Sequence, residues 1–494
     1  MQRVEEQEIV LPSRDARRAR TRESETETTW RARLLQLFDR AIFGALLLII
    51  PLTAIPYGTV EPWSEAIFQC LIFILVALWI VEGMARGEWR IKGWTLLVPA
   101  LAIVAYAYVQ TLPYMRSGAW HTISADPYGT QLATLKLLAL ALAGALLLSY
   151  TSSRKRLRAL IIAVLITAVV SAIFGIVRET THHGAPGFIL PQLKPQVGYG
   201  QFINRNHFAY LMEMALGLAL GLMLGRGEKR MRLVYVAAAL PVWVALALAN
   251  SRGGILSMLG QLLFLLLIYG VAGQVQGEAE SEGGVWPLVR RVMGKLPVRI
   301  LLIAGLLGAM FVGVVWIGGD PLAKRLETLQ SEVGNEEAGE SESAKRVQIW
   351  QASWKLFKAH PVAGIGFGSY WVAITQYYDV PGQKRPYQAH NDYLDLLVSG
   401  GVIGGALGLW LLIVLIRRVR KTLRTKDALR RAACLGALTG LFGVAVHSLV
   451  DFGLQITINA LICVTLVVIA TADERVEDRA QREARRRQRE AGAS

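Results

Sequence analysis

The stretch 390–421, HNDYLDLLVSGGVIGGALGLWLLIVLIRRVRK, passes from a polar start through a long apolar run to a basic end. Its apolar part, residues 392–416, is long enough to cross a bilayer as a helix. Imidazole titrates near neutral pH and can accept or donate a proton. The stretch therefore predicts a membrane helix with acid–base chemistry, in His390, at its polar edge.

The composition of the whole chain agrees with a membrane protein. It has 494 residues, of which 53% are hydrophobic, a mean hydropathy of +0.39 and a formal net charge of +16. So much apolar surface would demand an unusually large soluble core, whereas runs that each cross a bilayer explain it. We interpret the positive charge as topology and attraction to lipid headgroups, with no nucleic-acid partner.

The apolar runs predict an all-α, polytopic membrane protein of about twelve transmembrane helices with a large, partly helical external loop. The predicted spans are residues 38–57, 65–83, 94–112, 132–150, 157–177, 206–224, 233–249, 253–272, 298–317, 392–416, 429–450 and 453–470.

The charges of the connecting loops predict the orientation. Lys and Arg are concentrated in alternate loops, of which the richest is 417–431, and the short loops between them hold few cations. By the positive-inside rule both termini are cytoplasmic. The predicted organisation is a charged cytoplasmic tail (1–37), transmembrane helices 1–9 (38–317), an external loop with an amphipathic helix (318–391), transmembrane helices 10–12 (392–470) and a second charged cytoplasmic tail (471–494).

The amphipathic helix of the external loop is predicted from residues 346–360. Val347, Trp350, Trp354 and Phe357 recur at helical spacing and would share one face. Such a face would lie along the lipid headgroups, or it would pack on other external segments, and both readings stay open. The glycines that follow, in 364–371, predict a tight turn because the lysine and Ser/Thr of a phosphate loop are missing.

Three arginines are predicted at the same outer side. Arg205 and Arg252 lie at the outer mouths of two spans, and Arg346 begins the amphipathic helix. Each alone could be explained by snorkelling, in which a long cationic side chain extends its charge to the membrane–water interface. Together, in a region that otherwise avoids cations, they favour one site, and guanidinium is well shaped for bidentate contact with phosphate oxygens.

His390 is the candidate reactive group because Asn391 and Asp392 follow it directly, and Asp395 is one helical turn away. These polar side chains could orient the ring and fix its tautomer. A metal site is disfavoured, since no second histidine stands three or four residues away.

Four stretches resemble the O-antigen ligase and O-antigen polymerase superfamily of bacterial membrane glycosyltransferases. They are NRNHFAYLMEMALGLALGL (204–222), SRGGILSMLG (251–260), RVQIWQASWKLFKAHPVAGIGFGSYW (346–371) and AHNDYLDLLVSGGVIGG (389–405). Their order, spacing and outward placement together carry the resemblance.

The resemblance implies a multi-pass protein of the bacterial inner membrane whose active site faces the periplasm. A glycan would pass from undecaprenyl diphosphate to a hydroxyl of a lipid-linked or glycan acceptor, without metal, nucleotide or other cofactor. Carried over by position, His390 would be the general base, Arg252 and Arg346 would hold the diphosphate with Arg205 as a further contact, and Asn391 and Asp392 would support the base. Direct attack opposite the leaving group would invert the anomeric centre.

Several alternatives stay open. A polymerase that extends a lipid-linked chain, or a transferase that glycosylates protein, would share the same base and arginines. A secondary transporter of about twelve spans is a rival from another class, disfavoured because the spans look apolar at mid-depth and show no repeated half. A structural scaffold would leave the Arg and His cluster unexplained.

Overall fold

The computed structural model of the protein describes residues 14–89, 93–181, 190–194, 198–225, 229–275, 342–378 and 386–472. These residues form a bundle of α-helices. The helices are α1 (Arg14–Ala54), α2 (Pro62–Arg86), α3 (Trp94–Val109), α4 (Pro127–Tyr150), α5 (Arg154–Thr181), α6 (Arg205–Leu224), α7 (Lys229–Leu248), α8 (Arg252–Val275), α9 (Glu342–Ala359), α10 (Asp392–Leu423), α11 (Ala428–His447) and α12 (Thr457–Thr471). Short helical segments lie at Tyr370–Ala373, Ile374–Gln376 and Gly453–Gln455.

Within the described ranges, eight helices are long and apolar enough to cross a membrane, and three shorter apolar helices accompany them. The shorter ones are Trp94–Val109, Arg252–Ile268 and Thr457–Thr471. Each of these helices coincides with a predicted span, so the multi-pass helical architecture is confirmed. The predicted span 298–317, both tail ends and much of the external loop lie outside the described residues. The count of about twelve and the domain boundaries stay predictions.

Helix α6 lies at the centre of the bundle and packs on α11 through glycines. A Cβ added to Gly217 would lie 2.4 Å from the backbone nitrogen of Gly440, and one added to Gly221 would lie 2.2 Å from Cα of Gly436. In lipid, small residues allow the close backbone approach on which helix association depends. The two helices run antiparallel, so Asn206 near the start of α6 lies beside the end of α11.

The bundle has two ends that differ in charge. The end at which α6, α8 and α10 begin and α11 finishes is called here the His390 end. The opposite end, at which α10 finishes and α11 begins, is called the basic end. Arg156 pairs with Asp39 there, and Nε of Arg418 donates to Oγ1 of Thr95 at 2.8 Å.

A small β-hairpin at the His390 end departs from the predicted all-α fold. Strands β1 (Tyr114–Arg116) and β2 (Ala119–His121) pair antiparallel. The turn residues Ser117 and Gly118 have φ of 51° and 79°, and positive φ at both positions suits a two-residue hairpin turn. Three-residue strands are too short to show the alternation by which a sequence reveals a strand.

Helix α10, which contains the opening stretch, is broken at Gly401. This glycine has φ 62° and ψ −163° inside an otherwise helical run. The segment after α9 fills the break. The amide of Val402 donates to the carbonyl of Pro361 at 2.8 Å, and the amide of Ile365 donates to the carbonyl of Val398 at 3.1 Å. Irregular backbone at membrane depth is tolerated only where protein satisfies its polar groups, and this loop does so.

Gln110, just after α3, binds both the backbone of α10 just before the break and the segment that fills the break. Its side-chain amide donates to the carbonyls of Ala363 and Ser399 at 2.8 and 2.9 Å and accepts from the amide of Phe367 at 3.2 Å. The predicted turn over 364–371 is present, with positive φ at its three glycines. The α9 segment is therefore fixed against α10.

Helix α9 is present where the amphipathic helix was predicted, but its buried face is different. Ile349, Ala352 and Leu356 are buried, whereas Trp354 of the predicted face is 49% exposed. The buried side packs into a cluster with Tyr370 and other residues of the following segment. Of the two readings left open, the structure agrees with packing on other external segments, because the smaller side chains fit that contact.

Candidate functional site

A turn after α11, residues 448–451, organises the polar residues at the His390 end. The backbone amide of Asp392, Nδ2 of Asn391 and Nη1 of Arg346 donate to the carbonyls of its first three residues, at 2.9, 2.9 and 3.1 Å. The fourth residue is Asp451. One turn therefore binds α9, the start of α10 and the end of α11 together.

His390 is held so that one edge of its ring faces this turn. Its φ is +50°, in the left-handed region that few non-glycine residues adopt, and its carbonyl accepts from Nε1 of Trp350 at 3.3 Å. Nδ1 lies 3.3 Å from Oδ1 of Asp451, and the ring meets Phe452 edge-to-face at 4.7 Å between centroids. The side chain is 26% exposed, so the ring is fixed on one side and accessible on the other.

Asp451 is almost fully buried, and several hydrogen-bond donors surround its carboxylate. Its carboxylate lies 2.5 Å from Nδ2 of Asn206, 2.9 Å from the amide of Phe452 and 3.6 Å from Nη2 of Arg346. Burial alone would raise the pKa of this carboxyl. The hydrogen bond with His390 and the positive charge of Arg346 outweigh burial and hold the pKa well below its usual range.

Arg252 and Arg205 each begin a helix at this end, and both are exposed. The start of α8 packs directly on the organising turn: a Cβ added to Gly253 would lie 2.4 Å from Nε2 of His447 and 3.2 Å from Cγ2 of Val450. Arg205 directly precedes the residue that contacts Asp451. The three predicted arginines and His390 thus surround one turn.

Arg346 differs from the other two arginines because it is buried and already engaged. Its side chain is 10% exposed, with Nη1 on the carbonyl of Val450 and Nη2 facing Asp451. It therefore contributes a fixed positive charge to the site, while Arg252 and Arg205 contribute accessible ones.

Asn391 and Asp392, predicted to support the histidine, position its backbone. The side chain of Asn391 caps α10 by accepting from the amide of Leu394 at 2.9 Å. Oδ2 of Asp392 accepts from Oγ of Ser448 at 2.7 Å. The direct partner of the imidazole is Asp451.

A second polar layer lies beneath the site, inside the bundle. Nδ1 of His447 lies 2.9 Å from Oε2 of Glu213, both side chains are buried, and Tyr210 stacks on His447 at 4.0 Å between centroids. From the sequence, the spans were expected to be apolar at mid-depth, and Glu213 lies within the sixth of them. That interpretation is wrong for Glu213, whose single carboxylate is hidden within an apolar pattern.

Sequence reasoning also missed Asp451 and Asn206 as partners in the site. Asp451 is separated from His390 by 61 positions, and no motif spacing joins residues so far apart. The available signal was weaker: both polar residues stand at outer ends of predicted spans.

The geometry suits acid–base chemistry at one ring nitrogen. With its proton on Nδ1, the imidazole donates to Asp451 and leaves the Nε2 lone pair as a proton acceptor. Asp451, which stays ionised, can stabilise the imidazolium that forms. Among the described residues, no group of three or more His, Cys, Asp or Glu side chains could hold a metal ion.

Comparison with known proteins places part of this site in a family. Residues 236–409 match the family model described as O-antigen ligase. That range contains Arg252, Arg346 and His390, whereas Arg205 and Asp451 lie outside it. No curated protein matches the chain. The match supports a function of the O-antigen ligase or polymerase type. It also confirms the resemblance predicted from the sequence: residues 236–409 of the chain are similar to the O-antigen ligase superfamily.

Proposed function

We propose that the protein is a glycosyltransferase of the bacterial inner membrane that moves a glycan from undecaprenyl diphosphate to a hydroxyl acceptor at the periplasmic face. The observation that supports this most is the convergence on residues 447–451. His390, Arg346 and the helix starts that carry Arg205 and Arg252 all meet there. A base beside several cations fits a reaction between a hydroxyl and a diphosphate ester.

In this proposal His390 is the general base. Nε2 takes the proton of the acceptor hydroxyl as its oxygen attacks the anomeric carbon. The bond from that carbon to the diphosphate oxygen breaks, and undecaprenyl diphosphate leaves with the electron pair. A positioned base contributes roughly 10²–10⁴-fold to such a step. Attack from the face opposite the leaving group inverts the anomeric centre.

The arginines stabilise the charge that grows on the leaving diphosphate. Arg252 and Arg205 are exposed at the same end and can contact phosphate oxygens with the bidentate guanidinium fork. Arg346 acts mainly through charge, because Asp451 and the 450 carbonyl hold its guanidinium. Fixed cations placed where charge develops lower the barrier without reorganisation. Since the diphosphate already activates the donor, the proposal requires no metal or nucleotide.

The test is incubation of the purified protein with a polyprenyl-diphosphate glycan and three acceptors. These are a lipid-linked core oligosaccharide, a second lipid-linked glycan and a peptide with hydroxyl side chains. Transfer to the first indicates a ligase, to the second a polymerase, and to the third a protein glycosyltransferase. Failure to transfer to all three, by protein that is monodisperse and binds the donor, would overturn the proposal. The anomeric configuration of the product, read by NMR, tests inversion.

A further inference from the structure

A cavity of about 460 Å³ lies at the basic end, between the ends of α10, α12 and the start of α3. This volume is within the range of about 300–1,000 Å³ typical of small-molecule sites. Its polar lining is mainly cationic and hydroxylic. The residues that give it this character are Thr95, Arg417, Arg418, Lys421, Thr422 and Arg424.

The lining predicts an anionic ligand. Of the described residues that line the cavity, four are cations and none is acidic. Arg418 is oriented by its hydrogen bond to Thr95 at 2.8 Å, which fixes the fork within the cavity wall. Guanidinium, ammonium and hydroxyl groups together form the donor set that suits phosphate oxygens.

The position of the cavity points to a membrane lipid. Arg417 lies near the last turns of α10, whereas His390 directly precedes its start, so the cavity and His390 are at opposite ends of this membrane-spanning helix. The cavity therefore faces the leaflet opposite His390. By the positive-inside rule the basic end is cytoplasmic. The cavity then faces the cytoplasmic leaflet, whose anionic lipids attract basic segments.

The wall of the cavity continues into an apolar, outward-facing surface. Val414 lines the cavity, and Trp410, four residues earlier on the same face of α10, is exposed. Trp94, at the start of α3 beside Thr95, is also exposed, as is common for tryptophan at the level of the headgroups. A phosphate in the cavity would thus leave acyl chains lying along α10.

We propose that this cavity binds the phosphate headgroup of an anionic phospholipid of that leaflet. A neutral lipid lacks the net charge that four cations favour, and a soluble phosphate would not use the apolar surface beside them. The site is separate from the transfer reaction, and it stands whether or not the proposed function is correct.

The first experiment measures lipid binding by the full-length protein in detergent, using native mass spectrometry and thermal shift. The probes are phosphatidylglycerol, phosphatidylcholine and glycerol 3-phosphate. We expect phosphatidylglycerol to bind at least about tenfold more tightly than phosphatidylcholine, because each cation near a phosphate favours the anionic lipid. Equal binding of both lipids overturns the proposal. Binding of glycerol 3-phosphate as tight as that of phosphatidylglycerol overturns the lipid assignment in favour of a soluble anion.

The second experiment compares two variants that each remove two positive charges from the same helix end. Arg417→Gln/Arg424→Gln changes cavity residues, whereas Arg420→Gln/Lys426→Gln changes exposed cations that do not line it. We expect the first pair to weaken phosphatidylglycerol binding at least about tenfold and the control pair to change it less than about twofold. Equal weakening by both pairs indicates diffuse attraction and overturns the site. If the first pair does not fold, the wild-type lipid comparison still decides.

Discussion

The two ends of α10 carry charge in different ways. At the His390 end, the groups around the turn after α11 pair with one another: His390 and Arg346 meet Asp451, and Asp392 accepts from the hydroxyl of Ser448. At the basic end, four cations line a cavity to which the described residues contribute no acid. One end is a closed network and the other presents a surplus of one charge.

This difference separates two uses of polar side chains in a membrane protein. A closed network fixes geometry, because each member loses a partner if another moves, and a reaction needs such fixed groups. A surplus of like charge is instead suited to an anionic partner supplied from outside. Substitutions at the His390 end should break this difference, with the largest effect expected at His390 itself.

Replacing His390 should have the largest effect. His390→Ala removes the proposed base and should lower the transfer rate by roughly 10²–10⁴-fold. The measurement is product formation per mole of folded protein, with elution profile and thermal midpoint as checks on folding. His360→Ala, a change at an exposed histidine of the same predicted external loop, is the matched control and should stay active. Full activity of purified His390→Ala would remove the base assignment.

Replacing Asp451 should have the next largest effect. Asp451→Asn keeps the shape but removes the negative charge that orients the ring and stabilises imidazolium, so the rate should fall by about 10²-fold. Glu61→Gln, which removes a carboxylate from the same end of the bundle, should change the rate little. A rate unchanged by Asp451→Asn would show that the 3.3 Å contact with His390 has no part in the reaction.

Replacing the glycine of the break tests whether the network depends on the shape of α10. In Gly401→Ala the new Cβ would lie 2.2 Å from the carbonyl oxygen of Val362 at a φ of 62°. We expect a loss of about 2 kcal/mol in stability, read as a lower thermal midpoint. Gly404→Ala is the control, since its Cβ would meet nothing closer than 3.6 Å. Equal midpoints for both variants would contradict the importance of the break.

Replacing Arg252 should affect donor binding more than the chemical step. Arg252→Ala should raise KM for the donor by about tenfold, and Arg252→Lys by less, because the charge survives but the bidentate fork is lost. Donor titrations at saturating acceptor measure both. Equal losses in the two variants would indicate that fork geometry, not charge, is the requirement.

The smallest effect concerns the pH dependence of stability. The pKa of Asp451 is held below its usual 3.8 in the folded protein. Its ionised form therefore stabilises the fold at pH values above 3.8, and this stabilisation is lost as pH falls through the folded pKa. The higher thermal midpoint of wild type relative to Asp451→Asn should therefore persist from about pH 8 to about pH 5 and shrink below about pH 4. If this difference in thermal midpoint instead vanished between about pH 7 and about pH 6, the pH dependence would belong to another titrating group.

Local patterns predicted much of this architecture because membrane helices are determined locally. A run of apolar residues must satisfy its own backbone in lipid, so each run predicts a helix without reference to the rest of the chain. The same reasoning placed Arg205, Arg252, Arg346 and His390 at one side. It could not show the break at Gly401, since the carbonyls and amides that satisfy it come from residues 361–366.

The sequence by itself determined the helices, their order and which residues could be reactive, because hydropathy and charge act over one or two turns. Only the tertiary structure decided which carboxylate serves His390. Asp392 and Asp395 are nearer in sequence, but the helix directs the carboxylate of Asp392 to Ser448 and that of Asp395 to Gln455. The packing of the start of α10 on the turn after α11, through the amide of Asp392 and Nδ2 of Asn391, brings Asp451 to the ring instead. Contacts between distant segments follow from such packing, and no local pattern encodes them.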